Sequence, residues 1–376
     1  MKKYCAAFIC VLLFFSFVAC GLPQKDGQAE TGSVTSSAFN DFDVVPELPY
    51  IQTVTVPYKA VLSPILVGNT FYMAVAKEDR SETDTNRLVA YDLETGEEEL
   101  LFTSSQELAN IQLLQSDGKW LSFADCSLYG GACNIYVMNC ENRKITCINK
   151  FSSEAPSFTY PVYMNGSVYW IEEEGVSGEG DSALIYGSVY SYDCENQSRK
   201  TIAKLNNIYI NNLTVSAQDG KVVWFERTGD EGKYYIYDVK SDSVKTIPSK
   251  KKDSMNVRYT DGFIYACETD DFKTQTAKEL VSVNTATGEH TSLKWDLKPF
   301  YCTENYLVGS TGMLLHFFKR DKNTVTELEE LTKSKVTTLG ISQNDTVVLV
   351  DNNKGLPSGE LADETTLHIY KLSERP

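Results

Sequence analysis

From Gly68 onward the chain alternates between short apolar runs and tight polar turns, and the alternation itself repeats. One recurring element is a polar turn followed by a strand that is apolar on both faces. Its copies are GNTFYMAVA from Gly68, DGKWLSFA from Asp117, NGSVYWIEE from Asn165, DGKVVWFE from Asp219, DGFIYACE from Asp261, ENYLVGS from Glu304 and NDTVVLVD from Asn344. Asn-Gly and Asp-Gly favour two-residue hairpins, because both central residues take positive φ there. A strand apolar on both faces must be covered on both.

A second element follows each of these: an apolar strand, then Asp or Asn, a polar turn, and another strand. It opens at Leu88, Asn134, Ser188, Tyr234, Glu279, Leu315 and Leu367. The equivalent positions are Asp92, Asn139, Asp193, Asp238, Asn284, Lys319 and Lys371, spaced 35 to 54 residues apart. Each unit then has four strands, which in the second unit fall at 111–115, 119–124, 134–140 and 144–149. No segment after Tyr50 keeps a helical period, which argues against an α/β fold. Seven four-stranded units buried on both faces predict an all-β fold, a seven-bladed β-propeller. The seventh unit ends after its third strand. The β-rich segment 51–58, IQTVTVPY, supplies the missing one, so an N-terminal strand completes the last blade and leaves no open edge.

The first nineteen residues stand apart. Lys2 and Lys3 precede an apolar run to Ala19, too short to span a bilayer comfortably and shaped like a signal peptide. Phe17-Val18-Ala19-Cys20 resembles the lipobox of bacterial lipoprotein precursors, with Phe17 where Leu is usual. The resemblance implies lipidation at Cys20 and a place on the extracytoplasmic face of a cell membrane. Residues 20–49 are rich in Gly, Ser, Thr and acids and read as a flexible tether reaching on the order of 30 Å. Residues 50–376 form the propeller. This part resembles the TolB-like and WD-repeat-like propellers of bacterial envelope lipoproteins, on repeat pattern alone. DLETGEEEL and NTATGEHTSLKW resemble the Thr-Gly turn of quinoprotein repeats. Only Trp295 stands where those repeats place a Trp, and no cofactor is expected.

Charge narrows the partners. The chain has 35 Lys+Arg against 51 Asp+Glu, and loss of Lys2 and Lys3 with the leader takes the formal charge from −16 to −18. That argues against nucleic acid, which wants a basic surface. Seven of the ten cysteines lie beyond Cys20, and Cys126 and Cys133 could close the loop between them. None has the C-x-x-C spacing of a zinc or redox site.

The search for catalysis finds no H-E-x-x-H and no G-x-S-x-G. His290, His316 and His368 fall in outer strands or turns and read as satisfied or surface residues. Trp170 and Trp224 share one repeat position, which favours packing between blades over carbohydrate stacking. No catalytic residue and no metal ligand set is assigned. Acidic residues crowd the segments after the second strands, among them Glu172 to Glu174, and are read as solvated loops.

Turns joining strands one to two and three to four are short, whereas the other connections are long: 77–87, 125–133, 172–185, 269–278 and 351–366. In an up-and-down blade these two classes lie on opposite rims. Loops held on a rigid scaffold are where binding residues tend to lie. Tyr129, Glu173, Asp181, Asp271 and Asp363 on the long-loop rim are therefore the candidate contacts. The expected function is a non-enzymatic binding or scaffold module for an envelope protein or glycan. The alternative is an enzyme or sensor acting on glycans or peptides through acidic loop residues.

Overall fold

The computed structural model describes residues 51–76, 85–106, 108–127, 133–150, 160–177, 184–208, 214–271, 278–294, 296–311, 314–328, 338–341, 346–351 and 364–371. They form seven antiparallel sheets of four strands each. Blades 1 to 6 span 61–103, 109–149, 162–208, 216–248, 253–292 and 298–327 in sequence order. Blade 7 takes Thr338–Ile341, Thr346–Asp351 and Thr365–Lys371 from the end of the chain and Ile51–Val56 from its beginning. The first strands of neighbouring blades lie side by side from blade 1 to blade 6, and that of blade 7 lies against blade 1. The result is a ring, the seven-bladed β-propeller that the repeats predict.

Closure takes the predicted form. Ile51–Val56 pairs antiparallel with Thr365–Lys371, from Ile51 opposite Tyr370 to Val56 opposite Thr365. Thr365 Oγ1 adds a 2.6 Å hydrogen bond to the Tyr58 carbonyl. Val56 and Tyr58 then pack with Val348, Val350, Leu367 and Ile369 of the same blade and with Phe71, Met73 and Val89 of blade 1.

Packing explains the second strands. Every seam between adjacent blades has its own apolar cluster, seven in all. In blade 4, Val222 and Trp224 face blade 3 while Val223 and Phe225 face blade 5. All four are buried. Full burial of one such side chain stabilises by roughly 1.5–3 kcal/mol, and each strand provides several.

The Asp or Asn that marks five of the seven repeats has a direct physical role. Asp92, Asn139, Asp238 and Asn284 each accept backbone N–H groups two and three residues further on. Asp193 accepts the one three residues on. This Asx turn starts the hairpin between the third and fourth strands. A residue with positive φ ends it: Gly96, Arg143, Gln197, Asp242 and Gly288. Between the first and second strands, Asn165-Gly166, Asp219-Gly220 and Asp261-Gly262 have positive φ at both positions, as expected. Asp117-Gly118 departs from this. Only Gly118 has positive φ, and Asp117 instead caps the N–H groups of Lys119 and Trp120.

Four expectations need correction. Glu172, Glu173 and Glu174 are not in a loop but within the second strand of blade 3, Ser167–Ser177. A Glu-rich run reads as solvated by composition, yet cross-strand pairing with residues 184–193 keeps it extended. The strands of blade 2 likewise continue to Ser127 and resume at Cys133, which places Cys126 opposite Cys133 as a disulfide. His316 and His368 lie in third strands, not outermost ones. In blade 4 the link between second and third strands is the tight Gly229-Asp230 turn, so the long-loop pattern is not universal.

Candidate functional site

Blade 3 outruns the ring. Its second, third and fourth strands have 11, 10 and 11 residues, against 8, 8 and 6 in blade 4. Both blades start from the same Asx-turn end, so the surplus falls at the long-loop end. Three residues at ~3.3 Å each carry the sheet about 10 Å further. A register shift between Glu173 and Gly175 bends the second strand there. Gly175 has no side chain because the Tyr186 ring lies where one would stand.

The face of this sheet towards blade 2 carries an ordered polar and aromatic array. Glu174 accepts from Ser188 Oγ at 2.5 Å, Tyr190 Oη at 2.9 Å and Lys204 Nζ at 2.9 Å. The Ser188, Lys204 and Tyr190 hydrogen bonds hold its carboxyl down at about 2, and Glu174 in turn raises the Lys204 ammonium. The Arg199 guanidinium lies 3.7 Å from the centre of the Tyr190 ring and 5.2 Å from that of Trp170. It is ion-paired with Glu172 and bonded to Asn149 Oδ1 of blade 2 at 3.1 Å. Tyr186 is 44% exposed at the tip. Together these groups can grip a ligand by stacking, by charge-assisted hydrogen bonds and by hydroxyls.

Of the residues expected to bind, Glu173 and Asp271 lie within the described parts. Glu173 is on the opposite face of the blade 3 sheet, where burial pushes its carboxyl up. Asp271 follows the second strand of blade 5, held by Thr269 Oγ1. One lies on blade 3 and the other on blade 5, so they belong to separate parts of the rim. Cys20, Tyr129, Asp181 and Asp363 lie outside the described residues, as does Trp295.

One constellation escaped the sequence reading. Counting along each second strand from the residue that faces the Asx-turn position, the fifth residue on is Asp125, Glu172, Glu226, Glu268 or Asp351 in five of the seven blades. Asp125, Glu226 and Glu268 are buried. Asp125 Oδ2 accepts Ser104 Oγ from the blade 1–2 linker at 2.9 Å. Glu268 accepts Tyr234 Oη at 2.8 Å and Ser249 Oγ at 2.9 Å, from blade 4 and the blade 4–5 linker. His290 stands beside it, Nδ1 3.4 Å from Glu268 Oε1 and Nε2 3.0 Å from the Pro248 carbonyl. Asp125 and Glu268 thus tie seams together, and burial without partners would be costly. Aligning the repeats on their hairpin turns would have exposed the column. Among the described residues no group of three or more His, Cys, Asp or Glu could hold a metal ion. Trp170 and Trp224 are fully buried, as a packing role requires.

The fold and this rim define the protein as a seven-bladed β-propeller. Solved structures match the chain at low identity. A prolyl endopeptidase matches at 11% identity and TM-score 0.52, over 84% of this chain and 48% of that one. TolB from Acinetobacter baumannii matches at 12% and TM-score 0.39, over 77% of this chain and 62% of that one. The β-propeller domain of the trilobed protease from Pyrococcus furiosus matches at 13% and TM-score 0.46, over 77% and 90%. The chain thus spans less than two thirds of the first two. Only the first exceeds a TM-score of 0.5, and at 11% identity it bears on the fold alone. No protein-family model and no curated protein matches the sequence.

Proposed function

We propose that this chain is a lipid-anchored, extracytoplasmic β-propeller of a bacterial envelope that works as a binding or scaffold module. The observation that carries the reading is the extension of blade 3 past the ring, with Tyr186, Tyr190, Arg199, Glu174 and Lys204 arrayed on one face. Ring closure requires only short connections, and sheet built beyond that need is surface available to a partner. The partner is an envelope protein or a glycan, met on the long-loop rim, to which Tyr129, Glu173, Asp181, Asp271 and Asp363 contribute as candidates. The Lys2-Lys3 leader and the Ala19-Cys20 pair support anchoring through Cys20, and a surface of net negative charge suits a soluble domain held near a membrane by lipid alone.

The test of the anchor is metabolic labelling with a radioactive fatty acid together with membrane fractionation. Wild type should be labelled and sediment with membranes. Cys20→Ala should carry no label and should either leave the membrane or remain as an unprocessed precursor. Equal labelling of the two would sink the anchor and with it the envelope assignment.

A further inference from the structure

The second strands of blades 3 and 4 carry the same pair at the same repeat positions: Trp170 with Glu172, and Trp224 with Glu226. Each Trp faces a Tyr on the third strand, Tyr190 or Tyr235. In blade 4 the indole Nε1 donates to Glu226 Oε1 at 2.9 Å. In blade 3 it does not. Trp170 is fully buried and its Nε1 has no acceptor.

One residue accounts for the difference. The outer strand of blade 3 has Arg199 opposite Tyr192, where blade 4 has Val244 opposite Tyr237. The Arg199 guanidinium takes the Glu172 carboxylate and so holds it away from the indole that its counterpart serves. A buried donor left without an acceptor is unfavourable. The Arg199–Glu172 pair therefore persists against a standing penalty next to it.

We infer that Arg199 is a carboxylate-binding site, and that Glu172 is an internal occupant which an external carboxylate displaces. The guanidinium is preorganised by the Tyr190 ring and by Asn149 Oδ1. Its side chain is 35% exposed, so a ligand can reach it. A carboxylate fits because a carboxylate is already there, and the planar guanidinium fork suits that group. On displacement Glu172 turns to Trp170 Nε1, the arrangement that blade 4 already shows. The exchange replaces one ion pair by another and adds the missing indole hydrogen bond. The ligand group is the C-terminal carboxylate of a peptide or the carboxylate of a uronic acid. The inference rests on the long-loop rim being a binding face, but its test needs neither membrane nor partner.

The full-length chain, labelled with 15N at its indoles, is titrated with N-acetyl-alanyl-alanine, with the C-terminal amide of that dipeptide, and with glucuronate. The Trp170 indole resonance is assigned by its loss in Trp170→Phe. At least one carboxylate should move it downfield and saturably, and the amide should not; the arm that responds names the source. Glu172→Gln weakens the internal competitor and should tighten binding about tenfold, ~1.4 kcal/mol. Arg199→Val makes blade 3 resemble blade 4, so the Trp170 resonance should sit at the shifted position without ligand and stay there. A flat titration in both wild type and Glu172→Gln overturns the inference. So does an amide as effective as the acid, or an Arg199→Val chain whose Trp170 resonance is unshifted. Partner capture that survives shortening of the long-loop rim, with these titrations intact, would count against the rim as a partner face only, leaving the carboxylate site standing.

Discussion

Removal of the Glu268 side chain should weaken the blade 4–5 seam more than any exposed substitution. The residue is 1% exposed, and three groups converge on its Oε1: Tyr234 Oη, Ser249 Oγ and His290 Nδ1. Glu268→Ala leaves the Ser249 hydroxyl without this acceptor and the imidazole without the carboxylate beside it, while the fully buried Tyr234 hydroxyl keeps Ser254 Oγ at 3.2 Å. Each stranded buried group costs roughly 1–3 kcal/mol. With Tyr234 still partly served, the sum is about 3–5 kcal/mol, which is also the range for breaking a buried charged network. In a domain this large that lowers Tm by about 5–10 °C. Glu268→Gln keeps an acceptor for both hydroxyls and loses the charge facing His290, so it should cost about 1–2 kcal/mol.

Acid should narrow the gap between wild type and Glu268→Ala. Burial pushes the Glu268 carboxyl up, but hydrogen bonds from His290, Tyr234 and Ser249 outweigh it and hold it below its ordinary value. A group depressed in the folded state contributes above its unfolded pKa, about 4.3 for Glu, and the contribution is lost as pH falls through the folded value. Urea unfolding followed by tryptophan fluorescence at pH 7 and at about pH 3 to 4 measures both effects. A Glu268→Ala chain within about 1 kcal/mol of wild type at pH 7, or a gap that widens in acid, would refute the reasoning.

Deleting residues 50–58 should bare the Thr365–Lys371 strand as an edge, lower Tm by more than about 10 °C and promote self-association; a monomer that melts like wild type would disprove closure by the N-terminal strand. Carboxyl NMR titration should find Glu174 protonating near its value of about 2, well below Glu173, which burial raises; the reverse order would contradict the placement of these neighbours on opposite faces. Alkylation of the urea-unfolded chain should spare Cys126 and Cys133 until a reductant is added, while Cys147 is labelled without one; labelling of Cys126 without reductant would contradict the disulfide.

The architecture was legible because the ring repeats its instructions. The Asp or Asn at each third-strand end builds an Asx turn, and that requirement survives in five units as sequence. Apolar runs without alternation showed that second strands are covered on both sides, and the seam clusters bear this out. The site was less legible. Glu172 to Glu174 look like a solvated loop by composition, because strand pairing with residues 184–193 is a non-local fact. The acid column was visible only after alignment on the hairpins. The divergence of Trp170 from Trp224 was beyond any reading of those residues alone, since Arg199 in place of Val244 decides it from another strand.

Capture of a partner from native membranes by face-specific variants bears most directly on binding through the long-loop rim. One variant shortens the segments 178–183 and 352–363 and leaves the flanking strands intact. The other reverses charge on the short-turn rim with Glu141→Lys and Lys240→Glu, both exposed. The loop-shortened chain should lose capture at least about tenfold, ~1.4 kcal/mol, with its melting temperature nearly unchanged, because loop length costs stability only weakly. The short-turn variant should capture as wild type does. Capture that survives loop shortening and fails in the short-turn variant would place the working face on the other side of the ring.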